Sequence, residues 1–186
     1  SIRDFWIGLG LTQKDISIPM QTVESFNASL IDSSAERRSF VANPMVLELE
    51  IQEASRKVCP PRHPDGAIPG CRKWEVGNSI IVQTSEVGIG KVRLKEYADV
   101  IISEGVATVE SEERSDQRPI IHWIPKQIAR TAELSIPEND EVRIVDGCVE
   151  NFELEVGEIY QLERVGFARL ESLPEKGSAK FLWLHG

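Results

Sequence analysis

The chain has 186 residues and a formal net charge of −9, and 41% of its residues are hydrophobic. This content suffices for a buried core, and no apolar run reaches the roughly 20 residues of a membrane-spanning helix. Three widely spaced cysteines argue against a disulfide framework and favour a reducing, cytoplasmic location. No secretory leader precedes the first element, and the chain begins without Met inside an amphipathic pattern. We therefore expect a fragment of a longer polypeptide.

The first 40 residues predict a helical segment. Apolar residues recur there at helical spacing, at Ile2, Phe5, Trp6 and Leu9. Thr12 and Asp15 approximate a capping box, and Pro19 suits the first turn of a second helix, which carries apolar positions from Met20 to Leu30.

From Pro44 onward the pattern changes to short alternating segments separated by Gly and Pro. The predicted strands are Met45–Ile51, Ser79–Gln83, Lys91–Leu94, Asp99–Ser103, Val106–Glu110, Ile120–Ile124, Val142–Val145, Ile159–Arg164, Phe167–Leu170 and Phe181–Leu184. So many short strands with almost no helix between them indicate a barrel or a sandwich. The sequence shows no internal repeat.

Charge is distributed unevenly along the chain. Residues 133–158 hold nine acidic residues and one basic residue, whereas residues 56–73 hold five basic residues and one acidic residue. The basic stretch reads as a long irregular loop, and such loops are usually functional or disordered. A surface polarised in this way can steer RNA to one face. The acidic run is equally typical of a solvated face.

The most specific motif of the chain is Gly157-Glu-Ile-Tyr-Gln-Leu-Glu-Arg-Val-Gly-Phe-Ala-Arg169. It is similar to the last strand pair of the anticodon-binding barrels in the class I glutamyl- and glutaminyl-tRNA synthetases, with Leu162 in place of the usual Phe, and further motifs resemble the same family in the same order. The opening residues 1–15 resemble the helical segment that follows the second ATP-binding signature. Further matching stretches are 20–25, 37–44, 61–64, 92–95 and 121–125.

The resemblance implies a mainly β fold, with a short N-terminal helical segment followed by two β-barrels related to a ribosomal 5S-RNA-binding fold. It implies a helical linker contacting the tRNA stem over 1–40 and an anticodon-binding region over 41–186. The final strands, 159–184, would close the first barrel, the one that strand 45–51 opens. The partners it implies are a glutamate-accepting tRNA and an upstream catalytic domain of the same polypeptide, with no membrane.

The resemblance also places five residues at positions that face the anticodon in the family: Arg37, Arg93, Lys95, Gln161 and Arg164. An Arg both stacks on a base and donates two hydrogen bonds, whereas Gln donates and accepts at one base edge. A lone Arg on a strand is otherwise more often solvated. Trp74 and Trp123 can stack on bases, but we favour a core position for Trp123.

The chain lacks both ATP-binding signatures of class I synthetases, so we expect no catalytic residue, no metal and no cofactor in this fragment. ATP and Mg²⁺ would serve the parent ligase. The compact barrels favour a glutamyl enzyme of archaeal type. The alternatives are a glutaminyl-tRNA synthetase fragment, a non-enzymatic structural-RNA-binding barrel protein and an acidic protein-interaction module. Cys59, His63 and Cys71 lie close together but lack the spacing and the fourth ligand of a structural zinc site.

Overall fold

The structure is a computed structural model that describes residues 2–10, 17–114 and 117–186. Those residues contain two α-helices, α1 (Ile2–Leu9) and α2 (Met20–Ile31), and sixteen strands. The strands are β1 (Glu36–Arg38), β2 (Phe40–Ala42), β3 (Pro44–Glu50), β4 (Lys57–Val58), β5 (Trp74–Glu75), β6 (Ser79–Gln83), β7 (Lys91–Leu94), β8 (Asp99–Ser103), β9 (Val106–Ser111), β10 (Ile120–Ile121), β11 (Trp123–Pro125), β12 (Ala129–Glu138), β13 (Glu141–Glu150), β14 (Ile159–Leu162), β15 (Gly166–Ser172) and β16 (Ala179–His185). The mainly β prediction with a helical start is confirmed.

The first barrel is a seven-stranded sheet in the order β1-β14-β15-β16-β12-β13-β2. Its two edges belong to one interrupted strand, because only Ser39 separates β1 from β2. β1 pairs parallel with β14, and β2 pairs antiparallel with β13, so the sheet closes on itself. Its inward side chains form one apolar core around Leu134, Leu162 and Phe181.

The second barrel has the order β10-β7-β8-β9-β3-β6-β11 and closes in the same way. Here only His122 separates the two halves of the interrupted strand. β10 pairs parallel with β7, and β11 pairs antiparallel with β6. The core of this barrel includes Trp123, which lies 5.2 Å from the stacked ring of Tyr97 and 5.5 Å from Trp74.

The two barrels share one topology, although no repeat is visible in the sequence. Each has a three-stranded antiparallel meander, two parallel pairs, two further antiparallel pairs and an interrupted strand. In the first barrel the interrupted strand comes first along the chain, and in the second it comes last. The barrels are therefore related by circular permutation, which makes Ser39 equivalent to His122 and β14 equivalent to β7.

One expected strand connection is wrong. β3 lies in the second barrel, whereas β14, β15 and β16 pair in the first, so the final strands do not close the barrel that 45–51 opens. The chain changes barrel at Asn43, whose backbone φ is 46°. Asn is among the residues that tolerate this left-handed conformation, so a single turn residue separates β2 from β3.

The expectation against a disulfide is also wrong, because Cys59 and Cys71 are bonded. Their separation of 12 residues along the chain did not indicate that the two cysteines are close in space. The loop between them folds back through an antiparallel bridge between Pro61 and Cys71. The two Cα atoms therefore lie 5.3 Å apart, within the range that a disulfide requires.

The helical start packs on the outside of the first barrel and is shorter than 40 residues. Phe5 of α1 meets Phe26 of α2 at 5.3 Å between ring centroids, and Asn27 lies 2.8 Å from the His185 ring on β16. α2 ends at Ile31, and β1 begins at Glu36. The predicted capping box of Thr12 and Asp15 lies outside the described residues. Across the ranges that the structure describes, neither helix has the length and hydropathy of a membrane span.

Candidate nucleic-acid interface

The two barrels contact each other through a buried ionic and apolar junction. Glu150 of the first barrel is completely buried and accepts hydrogen bonds from Arg72 and, at 2.6 Å, from Trp74 Nε1. A small apolar cluster beside it joins the outer faces of the sheets, through Val41 and Cys148 from one barrel and Ile81 and Ile124 from the other. This junction holds the barrels side by side and so positions the turns at its rim.

Two equivalent turns of the barrels meet in an ion pair. In the first barrel, Glu163 follows β14, and its N–H donates to the Arg38 carbonyl at 3.0 Å. In the second barrel, Lys95 follows β7, and its N–H donates to the Ile121 carbonyl at 3.0 Å. Lys95 Nζ then donates to Glu163 Oε1 at 2.8 Å. The pair therefore connects corresponding positions of the two barrels.

Glu163 collects further polar groups at the same point. His122 Nδ1 lies 3.1 Å from Glu163 Oε2, and the equivalent residue Ser39 donates from Oγ at 3.4 Å. Burial alone would raise the pKa of the Glu163 carboxyl, but the His122 ring, Arg72 and Lys95 outweigh it and hold that pKa well below its ordinary value. Glu163 is therefore a fixed negative charge at the rim of the junction.

A basic cleft of about 450 Å³ opens above this charge. It takes side chains from both barrels, and its lining is Arg93, Lys95, Glu96, Arg114, Ile120, His122 and Arg164. Three of the five residues predicted from the sequence, Arg93, Lys95 and Arg164, thus come together. The lining holds four cationic side chains and one carboxylate. Asp99, Glu163 and Glu86 pair with three of these cations, so the cleft suits an anionic ligand through oriented donors rather than through an excess of positive charge.

Each of these three predicted cations is held by a carboxylate. Arg93 Nη1 donates to Asp99 at 2.7 Å, and Asp99 is completely buried. Arg164 donates from Nη1 to Glu86 and from Nη2 to the Ile120 carbonyl, each at 2.5 Å. These contacts fix the guanidinium planes, which a stacked or bidentate contact with a base requires.

Arg37 and Gln161 lie elsewhere, side by side on the paired strands β1 and β14. The Arg37 side chain is 12% exposed and forms an ion pair with Asp32 at 2.9 Å, close to the end of α2. Among the described residues, Arg37 Nη1 and Gln161 Oε1 are buried without a hydrogen-bond partner. These two residues therefore form a second cluster of polar side chains, which lies outside the cleft.

Other residues that the sequence suggested for RNA binding make contacts within the protein instead. Trp123 is buried, as predicted, and so is Trp74. In the basic loop, Arg62 pairs with Glu36 at 2.7 Å, and Arg72 pairs with Glu150.

The zinc alternative fails, because Cys59 and Cys71 bond to each other and His63 Nε2 lies 3.1 Å from the Asp32 carbonyl.

Sequence reasoning did not assign Arg114, His122 or Glu163 to the site. His122 and Glu163 do fall within the motifs that resemble the synthetase family, so a signal was present. Arg114 lies in a polar connector, where one cation among several acids gives no pattern. Only the folded cleft shows that Arg114 lies near Arg93 and Lys95.

No family model matches the chain. It is similar to the glutamate–tRNA ligase of Methanothermobacter thermautotrophicus, with 33% identity over 178 residues, which cover 92% of this chain and 32% of the ligase. The glutamate–tRNA ligase of Pyrococcus furiosus is 31% identical over 93% of the chain, and that of Thermococcus kodakarensis is 32% identical over 97%. The chain spans about a third of the length of these relatives.

Proposed function

We propose that this chain, which is related over 92–97% of its length to archaeal glutamate–tRNA ligases, binds the anticodon loop of a glutamate-accepting tRNA for such an enzyme. One observation carries the proposal: Arg93 and Lys95 of the second barrel and Arg164 of the first line a single cleft. Because the cleft takes side chains from two barrels, its cations point in several directions. An RNA loop is a tightly curved single strand whose phosphates also face several directions, so the two arrangements match.

The chemistry of the cleft suits an unpaired RNA loop. Sequence-specific proteins read such loops by splaying the bases, stacking them on planar side chains and bonding to their edges. Arg93 and Arg164 supply guanidinium planes oriented by their carboxylate partners, and Lys95, 34% exposed and paired with Glu163, supplies an ammonium donor that can also contact phosphate. We assign a second contact to Arg37 and Gln161, because the resemblance places both at the anticodon and the structure places them side by side on β1 and β14.

The rest of the proposal concerns the whole protein. The parent would be a class I glutamate–tRNA ligase in the cytoplasm that uses ATP and Mg²⁺ in an upstream catalytic domain. Residues 1–40 would link that domain to the anticodon-binding region 41–186 and contact the tRNA stem. Contacts remote from the chemistry supply binding energy that orients the reacting end and adds selectivity. Glutamate rather than glutamine is favoured by the names of the related enzymes.

The test is binding of this chain to a glutamate tRNA transcript, with and without anticodon substitutions, at two salt concentrations. We expect tighter binding to the intact anticodon and loss of that preference in Arg164→Ala. Lys95→Met should reduce the slope of log affinity against log salt by about 0.7, the share of one phosphate of a single strand. Arg169→Ala is the matched control, because Arg169 is exposed and, within the described ranges, pairs only with its near neighbour Glu171.

The outcomes separate the alternatives. Binding that ignores the anticodon would reduce the role to gripping the RNA backbone, as a structural-RNA-binding protein does. A folded chain that binds no transcript at low salt would contradict the proposal and leave the protein-interaction alternative.

A further inference from the structure

The disulfide between Cys59 and Cys71 lies at the surface of the molecule. Cys59 is exposed and Cys71 is half-buried, so a thiol in solution can reach the bond. Both cysteines belong to the irregular loop between β4 and β5, within the segment 56–73 that holds five basic residues and one acidic residue. Positive charge stabilises the thiolate that a disulfide releases when it is attacked. The bond therefore has the access and the surroundings that thiol–disulfide exchange requires.

The third cysteine of the chain is kept away from this bond. Cys148 is 7% exposed and packs in the apolar cluster that joins the outer faces of the two barrels. A thiolate released at Cys59 or Cys71 can therefore re-form only the bond that it came from within the same chain. Reduction and reoxidation thus connect two defined states, one with the loop closed by the disulfide and one with the loop open.

The same loop carries the cation of the buried ion pair between the barrels. Arg72 directly follows Cys71 and donates from Nη1 to Glu150 of the first barrel, and both charged side chains are almost completely buried. The Arg72 N–H donates to the Pro60 carbonyl at 2.8 Å, and Arg72 Nε donates to the Pro61 carbonyl at 3.2 Å. These carbonyls belong to the opposite arm of the loop, so the disulfide holds together the two arms that orient Arg72.

A second contact joins this loop to the first barrel. The Arg37 N–H on β1 donates to the Arg62 carbonyl at 2.8 Å, and the Arg62 side chain pairs with Glu36 at 2.7 Å. The disulfide therefore closes the loop where it meets the first barrel on two sides. Because the basic cleft takes cations from both barrels, a looser contact between the barrels would misalign those cations.

We propose that the Cys59–Cys71 bond is a thiol–disulfide exchange site through which thiol reductants loosen the contact between the barrels and weaken RNA binding; the effect on RNA rests on the proposed function. An external thiolate attacks the Cys59 sulfur, the S–S bond breaks, and Cys71 leaves as a thiolate and takes up a proton. A second thiol attacks the mixed disulfide, which releases the Cys59 thiolate and forms an external disulfide. Two external thiols are oxidised, the protein disulfide is reduced, and the two thiol protons end on Cys59 and Cys71.

The cytoplasmic location proposed for the parent ligase makes this chemistry relevant. Disulfides are rare in a reducing cytoplasm, where those of mesophiles are usually transient or redox-sensing. Exposed disulfides are also the labile ones, whereas structural disulfides of secreted proteins resist reduction by glutathione. A permanent structural staple is the alternative, and it predicts a bond that survives the same thiols.

The first measurement counts thiols in the native chain after equilibration in glutathione buffers, from oxidising to the reducing poise of cytoplasm. Samples are quenched in acid, unfolded and labelled with a maleimide, and the added mass gives the number of free thiols. We expect one labelled cysteine, Cys148, at the oxidising end and all three cysteines at the reducing end.

The second measurement is binding of a glutamate tRNA transcript at both ends of this series and at one salt concentration. Reduction should weaken binding by about fivefold or more, which lies within the usual range of coupling between two sites. The double variant Cys59→Ser/Cys71→Ser cannot form the bond and should bind like the reduced wild type at both ends. The matched control, Cys148→Ala, keeps the disulfide and should keep the full response.

The outcomes separate this inference from the proposed function. A bond that survives at the reducing end, or never forms at the oxidising end, overturns the exchange site. Reduction that changes the affinity by less than about twofold overturns its control of RNA binding.

A transcript that binds in neither state at low salt contradicts the proposed function, and the junction is then followed through Cys148. Maleimide labelling of Cys148 in the native chain should become about tenfold faster on reduction, because local opening exposes this buried thiol. An unchanged labelling rate overturns the loosening of the junction.

Discussion

The buried ion pair between Arg72 and Glu150 can be tested through Arg72→Met. The two side chains are 1% and 0% exposed, and the carboxylate also accepts from the Ser39 N–H at 2.9 Å and from Trp74 Nε1 at 2.6 Å. Met retains much of the volume of Arg but leaves a charged carboxylate without its cation. Removing one partner of a buried pair costs about 3–5 kcal/mol, a large part of the roughly 5–15 kcal/mol that stabilises a typical domain.

The assay is urea denaturation followed by tryptophan fluorescence, with Arg72→Met/Glu150→Gln as the matched double variant. The double variant should recover part of the loss, because neither charge of the pair remains buried and the amide oxygen still accepts from one of the two remaining donors, the Ser39 N–H or Trp74 Nε1. Burial raises the pKa of the Glu150 carboxyl, and Arg72 opposes that rise. Without Arg72, the pKa of Glu150 should lie above its unfolded value, so the free energy of unfolding of the variant should fall as pH rises. The loss of stability of Arg72→Met relative to the wild type should therefore become smaller at acidic pH. A loss below about 1 kcal/mol, or a deficit independent of pH, would refute this reasoning.

Two further predictions concern the Cys59–Cys71 disulfide and the carboxylate of Glu163. Replacing both Cys59 and Cys71 by Ser should lower the free energy of unfolding by about 2–4 kcal/mol in an oxidising buffer and have little effect once the wild type is reduced. An equal loss in both buffers would assign the effect to packing instead. Because the folded pKa of Glu163 is depressed, its ionised form contributes stability above the ordinary carboxyl range near about 4, and this contribution is lost as pH falls toward the folded pKa. Glu163→Gln should therefore flatten the acid limb of stability, whereas the exposed Glu158→Gln should leave it unchanged.

Much of the fold was predictable because the strands alternate. Leu47 and Leu49, which face the core between Glu48 and Glu50, mark β3 clearly. β12 was missed although Ala132 and Leu134 alternate in the same way, because intervening acidic and hydroxyl residues dilute the pattern. The exchange between barrels at Asn43 was not predictable, since strand pairing over long sequence separations leaves no local signature.

The candidate site was predicted only through its motifs. Arg93, Lys95 and Arg164 were found because they fall on stretches that resemble the synthetase family. The carboxylate partners of Lys95 and Arg164, which are Glu163 and Glu86, lie 68 and 78 residues away in sequence. Pairing of that kind depends on the contact between the barrels, which no periodicity encodes. The same limit hid the equivalence of the two barrels, because circular permutation moves the interrupted strand from the beginning of one to the end of the other.

The ion pairs of the cleft reconcile a net charge of −9 with the RNA binding proposed above. A cation that is already paired with a carboxylate attracts phosphate less at long range than a free one, so steering of the RNA is weak. The same pairing removes side-chain freedom before the RNA arrives, which lowers the ordering cost of binding. Arg164 donates to Glu86 and to the Ile120 carbonyl, and we expect it to keep this orientation when the proposed RNA binds. An interface built in this way gains selectivity from orientation, so anticodon substitutions should change its affinity more than a modest change in salt does.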